Sequence, residues 1–588
     1  MKEKAYKLAK EWANNPYFDQ ADRDSIQELI DTDQENEIIE SFYQDLEFGT
    51  GGLRSIIGIG SNRMNKYNVR KATQAMCNIV LKQKKPTLKA AISHDNRRFS
   101  KEFAREVASV FAANGIKAFI YPELTPTPML SYAVRHYNAD CGVMLTASHN
   151  PKQYNGFKAY WSDGAQVTPP HDSEIIAAYS NITRWEEIKT MDFDSALTKN
   201  LVEWIPNSVN ENFYKIIEEG VQNKSMCKEQ GDKVHFIYTP LHGCGYIPCK
   251  TISERLGFSN FEVVESQAVF DSEFSTLKST PNPEDPEALE LAVALMIEAN
   301  ADIAYGTDPD CDRLGVVVNN KGVPVYLNGN QIGVLMLEYI CKQKIQHNSM
   351  PKHPLVIKSI VTSPLQATIA KAYGSDIIDT LTGFKWMAHA WRELQENGTQ
   401  YEFLFASEES FGYMPHDKVR DKDAVTAIAL MNELTLYHKL EGRNLLDALD
   451  FIYEEHGYAQ ESLIALTFEG LSGKEKIQKI MEYFRVQPEL SIAGQKTKIF
   501  TDYKSLEKMT ISTKLIEKVD MYSSNVLGFE FESGDFLYLR PSGTEPKIKF
   551  YTMVQAKDGD LTQKKAYAAE KIIMIEKEIH DIINKVTQ

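Results

Sequence analysis

The chain has 588 residues, of which 43% are hydrophobic and 25% charged, and its 65 basic and 81 acidic side chains give a formal net charge of −16. This length exceeds what one hydrophobic core supports, and about 150 residues per domain predicts about four domains. The acidic balance argues against a nucleic-acid partner, and the apolar stretches are shorter than the roughly 18 residues needed to span a membrane.

The first predicted elements alternate strand and helix. Short apolar runs at 88–93, 116–121 and 141–146 are typical of buried strands. Apolar residues recur at helical spacing between the first two runs, and Ser100 is a plausible N-cap for that helix. The order βαβαβ predicts a largely parallel sheet.

The same alternation returns twice before the composition changes. We predict strands at 234–238, 261–264, 301–304, 314–318, 355–360, 376–378 and 403–406, then a C-terminal pair at 536–539 and 548–554 and a helix from about 563. The predicted fold class is therefore α/β, with three similar α/β domains containing mixed sheets and a smaller α+β C-terminal domain. The predicted domains are 1–205, 206–322, 323–455 and 456–588.

A polar loop, TASHNP at 146–151, follows the strand at 141–146. Ser148 lies beside His149 and is a candidate nucleophile, because a serine next to a base is the usual arrangement for covalent catalysis. The GxSxG context of an esterase is missing, so acyl transfer is not favoured. A polar turn closed by Asn-Pro explains the same residues, and the loop alone leaves both interpretations open.

The loop DPDCDR at 308–313 places Asp308, Asp310 and Asp312 two residues apart. Carboxylates at this spacing on extended backbone face one side, and their mutual repulsion calls for a hard cation such as Mg²⁺. An EF-hand is excluded, because Arg313 and Asn319 stand where that motif needs glycine and glutamate. The alternative is an acidic turn in solvent, and the spacing favours a metal site.

Two further loops carry polar groups. SEESFG at 407–412 offers acceptors and hydroxyls that suit a sugar, or caps that begin a helix. RPSGTEP at 540–546 combines Arg540 with hydroxyls and free amides around a glycine, which favours a phosphate nest over a plain hairpin turn. The chain has neither a Walker-type GxxxxGK[ST] nor a GxGxxG dinucleotide motif. Together, the four loops are consistent with phosphoryl transfer on a sugar phosphate.

Five motifs in order, GTGGLR (49–54), TASHNP, DPDCDR, SEESFG and RPSGTEP, resemble those of the α-D-phosphohexomutases. The likeness is to the long-chain branch of that superfamily, which includes phosphoglucomutases and phosphopentomutases, and it covers most of the chain. The sequence departs from the family pattern at Ser55, where glycine is expected, and at Cys311, where glycine or alanine is usual.

The resemblance implies a four-domain protein in which Ser148 is phosphorylated and binds one Mg²⁺ together with Asp308, Asp310 and Asp312. It assigns further roles by position. The implied catalytic residues are Ser148, Lys158, His149, Arg54 and Lys422, with Lys158 preferred as the general base; the implied substrate-binding residues are Arg313, Thr382, Gly383, Lys385, Glu408, Ser410, Arg540, Ser542, Gly543 and Thr544.

The implied activity is interconversion of glucose 1-phosphate and glucose 6-phosphate through a phosphoserine enzyme, with a sugar 1,6-bisphosphate as intermediate and primer. A pentose or mannose phosphate remains an alternative substrate. A magnesium-dependent sugar phosphatase and a non-catalytic sugar-phosphate sensor are the alternatives from other classes. The expected partner is a small phosphorylated sugar, with no nucleic acid or membrane. The N-terminus lacks the apolar core of a secretory signal and the seven cysteines contain no CxxC pair, so we expect a cytoplasmic location.

Overall fold

The computed structural model describes residues 1–49, 51–468, 471–542 and 547–587, without the side chains of residues 471 and 472. The described chain forms two compact units, each built from several stretches of sequence. The first unit contains Met1–Asn328, Ala388–Thr399 and Ser410–Leu440, and the second contains Gly329–Met387, Gln400–Glu409 and Glu441–Gln588.

Three helices begin the first unit and enclose an aromatic core. They are α1 (Lys2–Asn14), α2 (Gln20–Asp31) and α3 (Glu35–Phe42). Trp12 stacks on Phe18 with ring centroids 4.1 Å apart, and Tyr67 meets both rings edge-on. Burial of these large rings fixes the helices against the sheet domain that follows, because aromatic pairs add packing energy to the area that they bury.

A six-stranded mixed sheet follows, in the order β1-β5-β4-β2-β3-β6. Strands β2, β3, β4 and β6 run parallel, while β5 is antiparallel to β4 and β1 to β5. The strands are β1 (Gly52–Ile56), β2 (Leu88–His94), β3 (Ile116–Ile120), β4 (Cys141–Leu145), β5 (Tyr154–Trp161) and β6 (Val202–Trp204). The helices are α4 (Lys66–Val80), α5 (Ser100–Ala113), α6 (Thr127–His136), α7 (His171–Asn181) and α8 (Phe193–Thr198), with 3₁₀ turns at Leu81–Gln83 and Trp185–Glu187.

The helix predicted after the first buried strand is present, but the prediction that Ser100 caps it is wrong. α5 begins at Ser100 itself, after Phe99 in a left-handed conformation with φ 64°. The Ser100 hydroxyl instead donates to Oδ1 of Asp95 at 2.8 Å. Ser100 is therefore a contact of the loop that follows β2, which matters for the site described below.

A second mixed sheet completes most of the first unit, in the order β11-β10-β9-β7-β8. β7, β8 and β9 are parallel, and β10 and β11 form an antiparallel edge. The strands are β7 (Phe236–Thr239), β8 (Phe261–Val263), β9 (Ile303–Thr307), β10 (Leu314–Asn320) and β11 (Val323–Leu327). The helices are α9 (Asn207–Gly220), α10 (Lys224–Gln230), α11 (Tyr246–Leu256) and α12 (Glu290–Glu298), with 3₁₀ turns at Gly231–Lys233, Glu265–Gln267 and Pro286–Leu289.

The third run of strands and helices crosses between the two units along the chain. β12, β13 and β14 pair in parallel in the second unit, with β12 in the middle. The elements are α13 (Gly329–Gln346), β12 (Pro354–Ser359), α14 (Pro364–Ala372), β13 (Asp376–Thr380), α15 (Phe384–Glu396), β14 (Glu402–Glu408), β15 (Gly412–Met414) and α16 (Ala424–Leu440). The long helix α16 is buried along most of its length.

The last region is an antiparallel sheet with long helices, in the second unit. Its strand order is β16-β23-β22-β21-β18-β19-β20, with β17 paired to β18. The elements are α17 (Leu445–His456), β16 (Tyr458–Thr467), α18 (Leu471–Arg485), β17 (Ser491–Ile492), β18 (Gln495–Asp502), β19 (Glu507–Thr510), β20 (Leu515–Lys518), β21 (Leu527–Phe531), β22 (Phe536–Pro541), β23 (Lys547–Ala556) and α19 (Leu561–Thr587). The predicted class, three α/β regions followed by an α+β region, is confirmed.

Two of the polar loops singled out in the sequence follow strands of the first unit. The loop that contains Ser148 follows β4, and the loop that contains Asp308 follows β9. Ligands of open α/β sheets bind at the carboxyl ends of strands, so both loops stand where a site is expected. Within the described residues, no helix is both long and apolar enough to cross a membrane.

Candidate active site

The hydroxyl of Ser148 is held in one place by its own loop. Ser148 is buried and has a left-handed backbone with φ 51°. Its backbone N–H donates to Oγ1 of Thr146 at 2.8 Å, and its Oγ lies 3.1 Å from Nδ1 of His149. A non-glycine residue with positive φ is uncommon, and such strain clusters at functional sites.

In the DPDCDR loop at 308–313, the carboxylate of Asp308 is bound by the backbone of its own loop. Oδ1 of Asp308 accepts hydrogen bonds from the backbone N–H groups of Asp312 and Arg313, both at 3.0 Å. Oδ2 of the same residue accepts a hydrogen bond from Ser148 Oγ at 2.7 Å. One oxygen each from Asp308, Asp310 and Asp312 lies within 4.8 Å of the others. The predicted convergence of three carboxylates is therefore present, and the candidate nucleophile is in contact with it.

The glycine-rich turn after β7 supports this loop at close range. A Cβ on Gly243 would lie 2.4 Å from Cα of Pro309, and one on Gly245 would lie 2.9 Å from Sγ of Cys311. Only glycine permits such an approach. Cys311 is fully buried, has φ 53°, and its sulfur lies 3.8 Å from that of Cys249. Cys311, which departs from the family pattern, is thus fully enclosed within the protein.

Two lysines form ion pairs with the carboxylates of Asp310 and Asp312. Nζ of Lys158, on β5, lies 2.7 Å from Oδ2 of Asp310 and 3.2 Å from Oδ2 of Asp312. Nζ of Lys422 lies 3.1 Å from the same Asp312 oxygen and 3.2 Å from Oδ1 of Asp421. Both lysine side chains are only 10% exposed, so these pairs form in a site largely shielded from water.

The charges shift the pKa values in different directions. Burial, together with the charges of Asp312 and Asp310, raises the pKa of Asp308 well above its usual value. Burial would also raise the pKa of Asp312, but Lys422 and Lys158 outweigh it and hold that pKa below its usual value. Burial would lower the pKa of Lys158, yet attraction to Asp310 and Asp312 prevails and raises it. The lowered pKa expected of a lysine that acts as a general base is therefore not found for Lys158.

Two buried oxygens support the assignment of a cation site. Among the described residues, Oδ1 of Asp310 and Oδ1 of Asp312 have no hydrogen-bond partner. Leaving a buried carboxylate oxygen unsatisfied is costly, and oxygen-only donor sets are those that Mg²⁺ selects. The residues present fit a hard divalent cation.

The other predicted catalytic side chains lie in the same unit. Burial first, then the nearby Arg313 and Arg54, lower the pKa of His149 well below its usual value, so its imidazole is neutral. Nη1 of Arg54 donates to Oδ1 of Asn150 at 3.0 Å, and Arg313 forms an ion pair with Glu284. Thr50, from the same motif as Arg54, lies outside the described residues.

The predicted sugar-binding turn belongs to the second unit. The backbone N–H of Gly383 donates to Oε2 of Glu408 at 3.0 Å, and Gly383 has φ 113°, a conformation open to glycine. Thr382 precedes it in the same turn, and the Lys385 ammonium lies 4.8 Å from the Trp386 ring centroid. Ser410 belongs to the first unit, so the motif SEESFG divides between the two units.

The predicted phosphate loop also belongs to the second unit and begins at the end of β22. Arg540 lies in that strand opposite Lys549 of β23. The backbone N–H of Ser542 donates to the carbonyl of Lys547 at 2.7 Å and closes the loop. Gly543 and Thr544 lie outside the described residues, so their assignment stays a prediction.

Sequence reasoning missed several residues that support the site. The first is Arg97, which follows β2 and contacts the backbone of the Ser148 loop. The second is Thr127, whose hydroxyl donates to Oδ2 of Asp310 at 2.7 Å. The third is Asp421, whose Oδ2 accepts from the Tyr160 hydroxyl at 2.8 Å. A signal was available for Arg97, since the polar segment HDNRR (94–98) begins at the last residue of β2, the strand that pairs with β4.

Comparison with known families matches three domain models, described as phosphoglucomutase/phosphomannomutase α/β/α domains I, II and III, to residues 45–185, 212–322 and 328–453. The chain belongs to the phosphoglucomutase/phosphomannomutase family. The predicted membership of the α-D-phosphohexomutase superfamily is thereby confirmed.

Curated relatives agree with this membership, and solved structures share the fold. A phosphoglucomutase of Staphylococcus aureus strain MRSA252 is 38% identical over 89% of this chain and 92% of its own length, and that of strain MSSA476 is 36% identical over 92% and 96%. Parafusin (phosphoglucomutase) of Paramecium superposes with a TM-score of 0.70 at 19% identity, over 93% of this chain and 96% of its own. A family protein of Burkholderia thailandensis gives 0.62 at 17% identity, over 89% and 96%. These two structures establish the fold.

Proposed function

We infer that this chain is a phosphoglucomutase, an isomerase that interconverts glucose 1-phosphate and glucose 6-phosphate. The relatives at 36–38% identity over most of the chain bear that name. The observation that carries the chemistry is the hydrogen bond from Ser148 Oγ to Asp308, because it places a nucleophile against a carboxylate cluster suited to a cation. Phosphoryl transfer needs such positioning and charge neutralisation more than any other contribution from the protein.

Ser148 is the residue that carries the phosphoryl group in this proposal. The phosphorylated serine gives its group to the free hydroxyl of a sugar monophosphate, which makes a sugar 1,6-bisphosphate. The bisphosphate then returns its other phosphate to Ser148, and the same compound primes any enzyme that starts unphosphorylated. Asp308, Asp310 and Asp312 would hold one Mg²⁺ together with Ser148. Bound there, Mg²⁺ would supply charge stabilisation to the phosphoryl oxygens.

The proton of the attacking sugar hydroxyl needs an acceptor. Lys158 lies on β5, directly after the Ser148 loop, and is our first candidate, with Lys422 the second. An ammonium is a base only after it loses a proton, and its attraction to Asp310 and Asp312 opposes that loss. Asp310 and Asp312 would attract Lys158 less strongly with a cation bound to them, and Lys158 would then lose its proton more easily. His149 and Arg54 complete the proposed catalytic set, His149 as a neutral imidazole beside Ser148 Oγ.

We propose two groups of substrate contacts. Arg313, Ser410, Thr382, Gly383, Lys385 and Glu408 would contact the sugar phosphate, and Arg540, Ser542, Gly543 and Thr544 would hold the phosphate that does not react. The hydrogen bond from the Gly383 N–H to Glu408 supports a sugar-binding role for Glu408, because it fixes that carboxylate beside the glycine turn. A glutamate held in this way suits the adjacent equatorial 3- and 4-hydroxyls of glucose. The four domains predicted from the sequence, 1–205, 206–322, 323–455 and 456–588, are also part of this proposal.

Initial rates on different sugar phosphates test the proposal. The enzyme with Mg²⁺ and glucose 1,6-bisphosphate is assayed on glucose 1-phosphate, mannose 1-phosphate and ribose 1-phosphate, while inorganic phosphate is measured in parallel. We expect the highest kcat/KM on glucose 1-phosphate, weaker turnover of the mannose compound and no stoichiometric phosphate release. A ribose value ten times the glucose value would reassign the substrate to a pentose, and phosphate release equal to substrate loss would indicate a phosphatase.

A further inference from the structure

The backbone of the Ser148 loop wraps around one buried guanidinium. Nη1 of Arg97 donates to the carbonyl oxygens of Pro151 at 2.9 Å and of Tyr154 at 3.0 Å. Nη2 donates to the carbonyls of Ser148, at 2.6 Å, and of Asn150. Four carbonyls within seven residues therefore converge on one side chain, which itself is fully removed from solvent.

The guanidinium has a fixed counter-charge. Nε of Arg97 lies 3.4 Å from Oδ2 of Asp95, and Oδ1 of Asp95 accepts from the Arg97 backbone N–H at 2.9 Å and from the Ser100 hydroxyl at 2.8 Å. The Phe274 ring closes the other side, with its centroid 5.3 Å from Cζ of Arg97. Burial lowers the pKa of Arg97 to about 10, which still leaves it charged at neutral pH.

This arrangement bears directly on the conformation of Ser148. A left-handed serine persists only where the surroundings fix it, and the Arg97 contacts fix the carbonyl of Ser148 itself and those of the residues after it. A planar guanidinium presents donors in a rigid fork, whereas a lysine ammonium has three donors on a flexible stem and cannot reproduce this set.

We propose that Arg97, held by Asp95, is the positioning residue of the phosphoserine loop and sets the place from which Ser148 Oγ receives and donates the phosphoryl group. The proposal rests on the proposed function to the extent that Ser148 carries that group. Arg97 contacts the loop backbone, so it acts through Ser148. A merely structural buried arginine would stabilise the fold and leave the loop geometry and the turnover of the folded enzyme unchanged.

Arg97→Lys in the full-length enzyme tests this, with Arg70→Lys as the matched control. Arg70 is a partly buried arginine in the same domain, and it forms a bidentate pair with Glu106 at 2.7 and 3.0 Å. A displacement of about 1 Å at a reacting group costs on the order of 100-fold in rate, so we expect kcat of Arg97→Lys to fall about 100-fold. KM for glucose 1-phosphate should change less than about threefold, since the substrate contacts remain; Arg70→Lys should leave both constants near wild type.

Hydrogen exchange gives a readout that does not depend on turnover. The amides of residues 147–154 should exchange faster in Arg97→Lys than in wild type, and at the wild-type rate in Arg70→Lys. A kcat within threefold of wild type, or unchanged exchange of that segment, would overturn the proposal. If the wild type shows no mutase activity but the exchange difference is present, the proposed function fails and the role of Arg97 in holding the loop stands.

If Arg97→Lys does not fold, Asp95→Asn provides a second test of the proposal. The amide retains an oxygen for the Arg97 N–H and removes the charge that faces Nε. We expect kcat to fall about tenfold with faster exchange of residues 147–154, as for loss of a group that orients a functional residue. Wild-type kcat together with wild-type exchange in this variant would also overturn the proposal.

Discussion

Oγ of Ser148 donates a hydrogen bond to Oδ2 of Asp308 at 2.7 Å, although the two residues are 160 positions apart in the chain. One residue follows β4 of the first sheet and the other follows β9 of the second. Taken alone, the Ser148 loop could be a polar turn, whereas the acidic loop at 308–313 already indicated a metal site. The hydrogen bond brings the two loops together. The chemistry proposed here depends on that junction.

Ser148→Ala should abolish mutase turnover and leave the fold intact. The variant removes the oxygen that is proposed to carry the phosphoryl group, while the loop remains bound to Arg97 through backbone carbonyls. Steady-state rates and a thermal melt measure the two effects, and intact mass of the wild type should show one added phosphoryl group on the peptide that contains Ser148.

Ser93→Ala is the control for that experiment. Ser93 is equally buried, on β2, and its hydroxyl donates to the Thr125 carbonyl at 2.8 Å, so its loss removes one ordinary hydrogen bond. It should retain turnover. Near wild-type turnover in Ser148→Ala would contradict the phosphoserine mechanism.

Asp310→Asn should weaken Mg²⁺ binding at least about tenfold and lower activity with it, because one of three converging carboxylates loses its charge. Excess Mg²⁺ should restore part of the activity. Calorimetric titration and rates at rising Mg²⁺ concentration measure this, and Asp302→Asn, at an ion pair with Lys439 in the same unit, is the control. Wild-type activity that survives exhaustive chelation would refute the metal site.

Arg540→Ala should raise KM for glucose 1-phosphate by about one to two decades, the cost of a lost charge-assisted contact of roughly 1.5–3 kcal/mol. Mg²⁺ affinity should stay near wild type, since Arg540 is not among the proposed ligands of the cation, Ser148, Asp308, Asp310 and Asp312. Arg485→Ala is the control, because that arginine of the second unit pairs with Asp502 at 2.9 Å. If KM is unaltered in Arg540→Ala, the phosphate loop does not contact the substrate.

Glu409 should make stability depend on pH. Partial burial and the neighbouring charge of Glu408 raise the pKa of Glu409 to about 7, and its Oε2 accepts from the Ser359 hydroxyl at 3.1 Å. The folded state holds the proton more tightly than the unfolded chain does. Its contribution to stability is therefore complete below the unfolded pKa near 4.5 and is lost as the pH rises through about 7.

Glu409→Gln should remove that dependence. Between pH 4.5 and pH 8, the free energy of unfolding of the variant should rise relative to that of wild type by on the order of 1–2 kcal/mol. This is less than the full value of about 1.4 kcal/mol per pKa unit, because the Glu409 side chain keeps some contact with water. Denaturant unfolding at several pH values measures it, with the exposed Glu402→Gln as control. Parallel pH profiles for wild type and Glu409→Gln would show that Glu409 does not titrate in this range.

The sequence allowed prediction of the elements whose signal is local. Buried strands such as β4 and β9 are short apolar runs, and the carboxylate spacing of the DPDCDR loop already implied convergence. Edge strands gave no such signal: the described residues of β20 are all exposed, so the alternation that reveals a half-buried strand is missing. Of the C-terminal sheet, only β22 and β23 were predicted, and the exposure of β20 explains the miss of that strand alone.

The supporting residues of the site were harder to predict for a different physical reason. Arg97 acts on backbone carbonyls more than fifty positions away, and a carbonyl leaves no mark in the sequence. The expectation that burial and neighbouring cations lower the pKa of Lys158 was wrong, because burial and two carboxylates oppose each other and their balance depends on distances.

The left-handed backbone of Ser148 also restricts which amino acid could serve as the proposed phosphoryl carrier. Serine and threonine both carry a hydroxyl group on Cβ. At φ 51°, however, a β-branched side chain crowds its own backbone, so threonine at this position would have to distort the loop or leave the contact with Asp308. The identity of the proposed nucleophile is thus restricted by the stereochemistry of the main chain as well as by the reactivity of its oxygen.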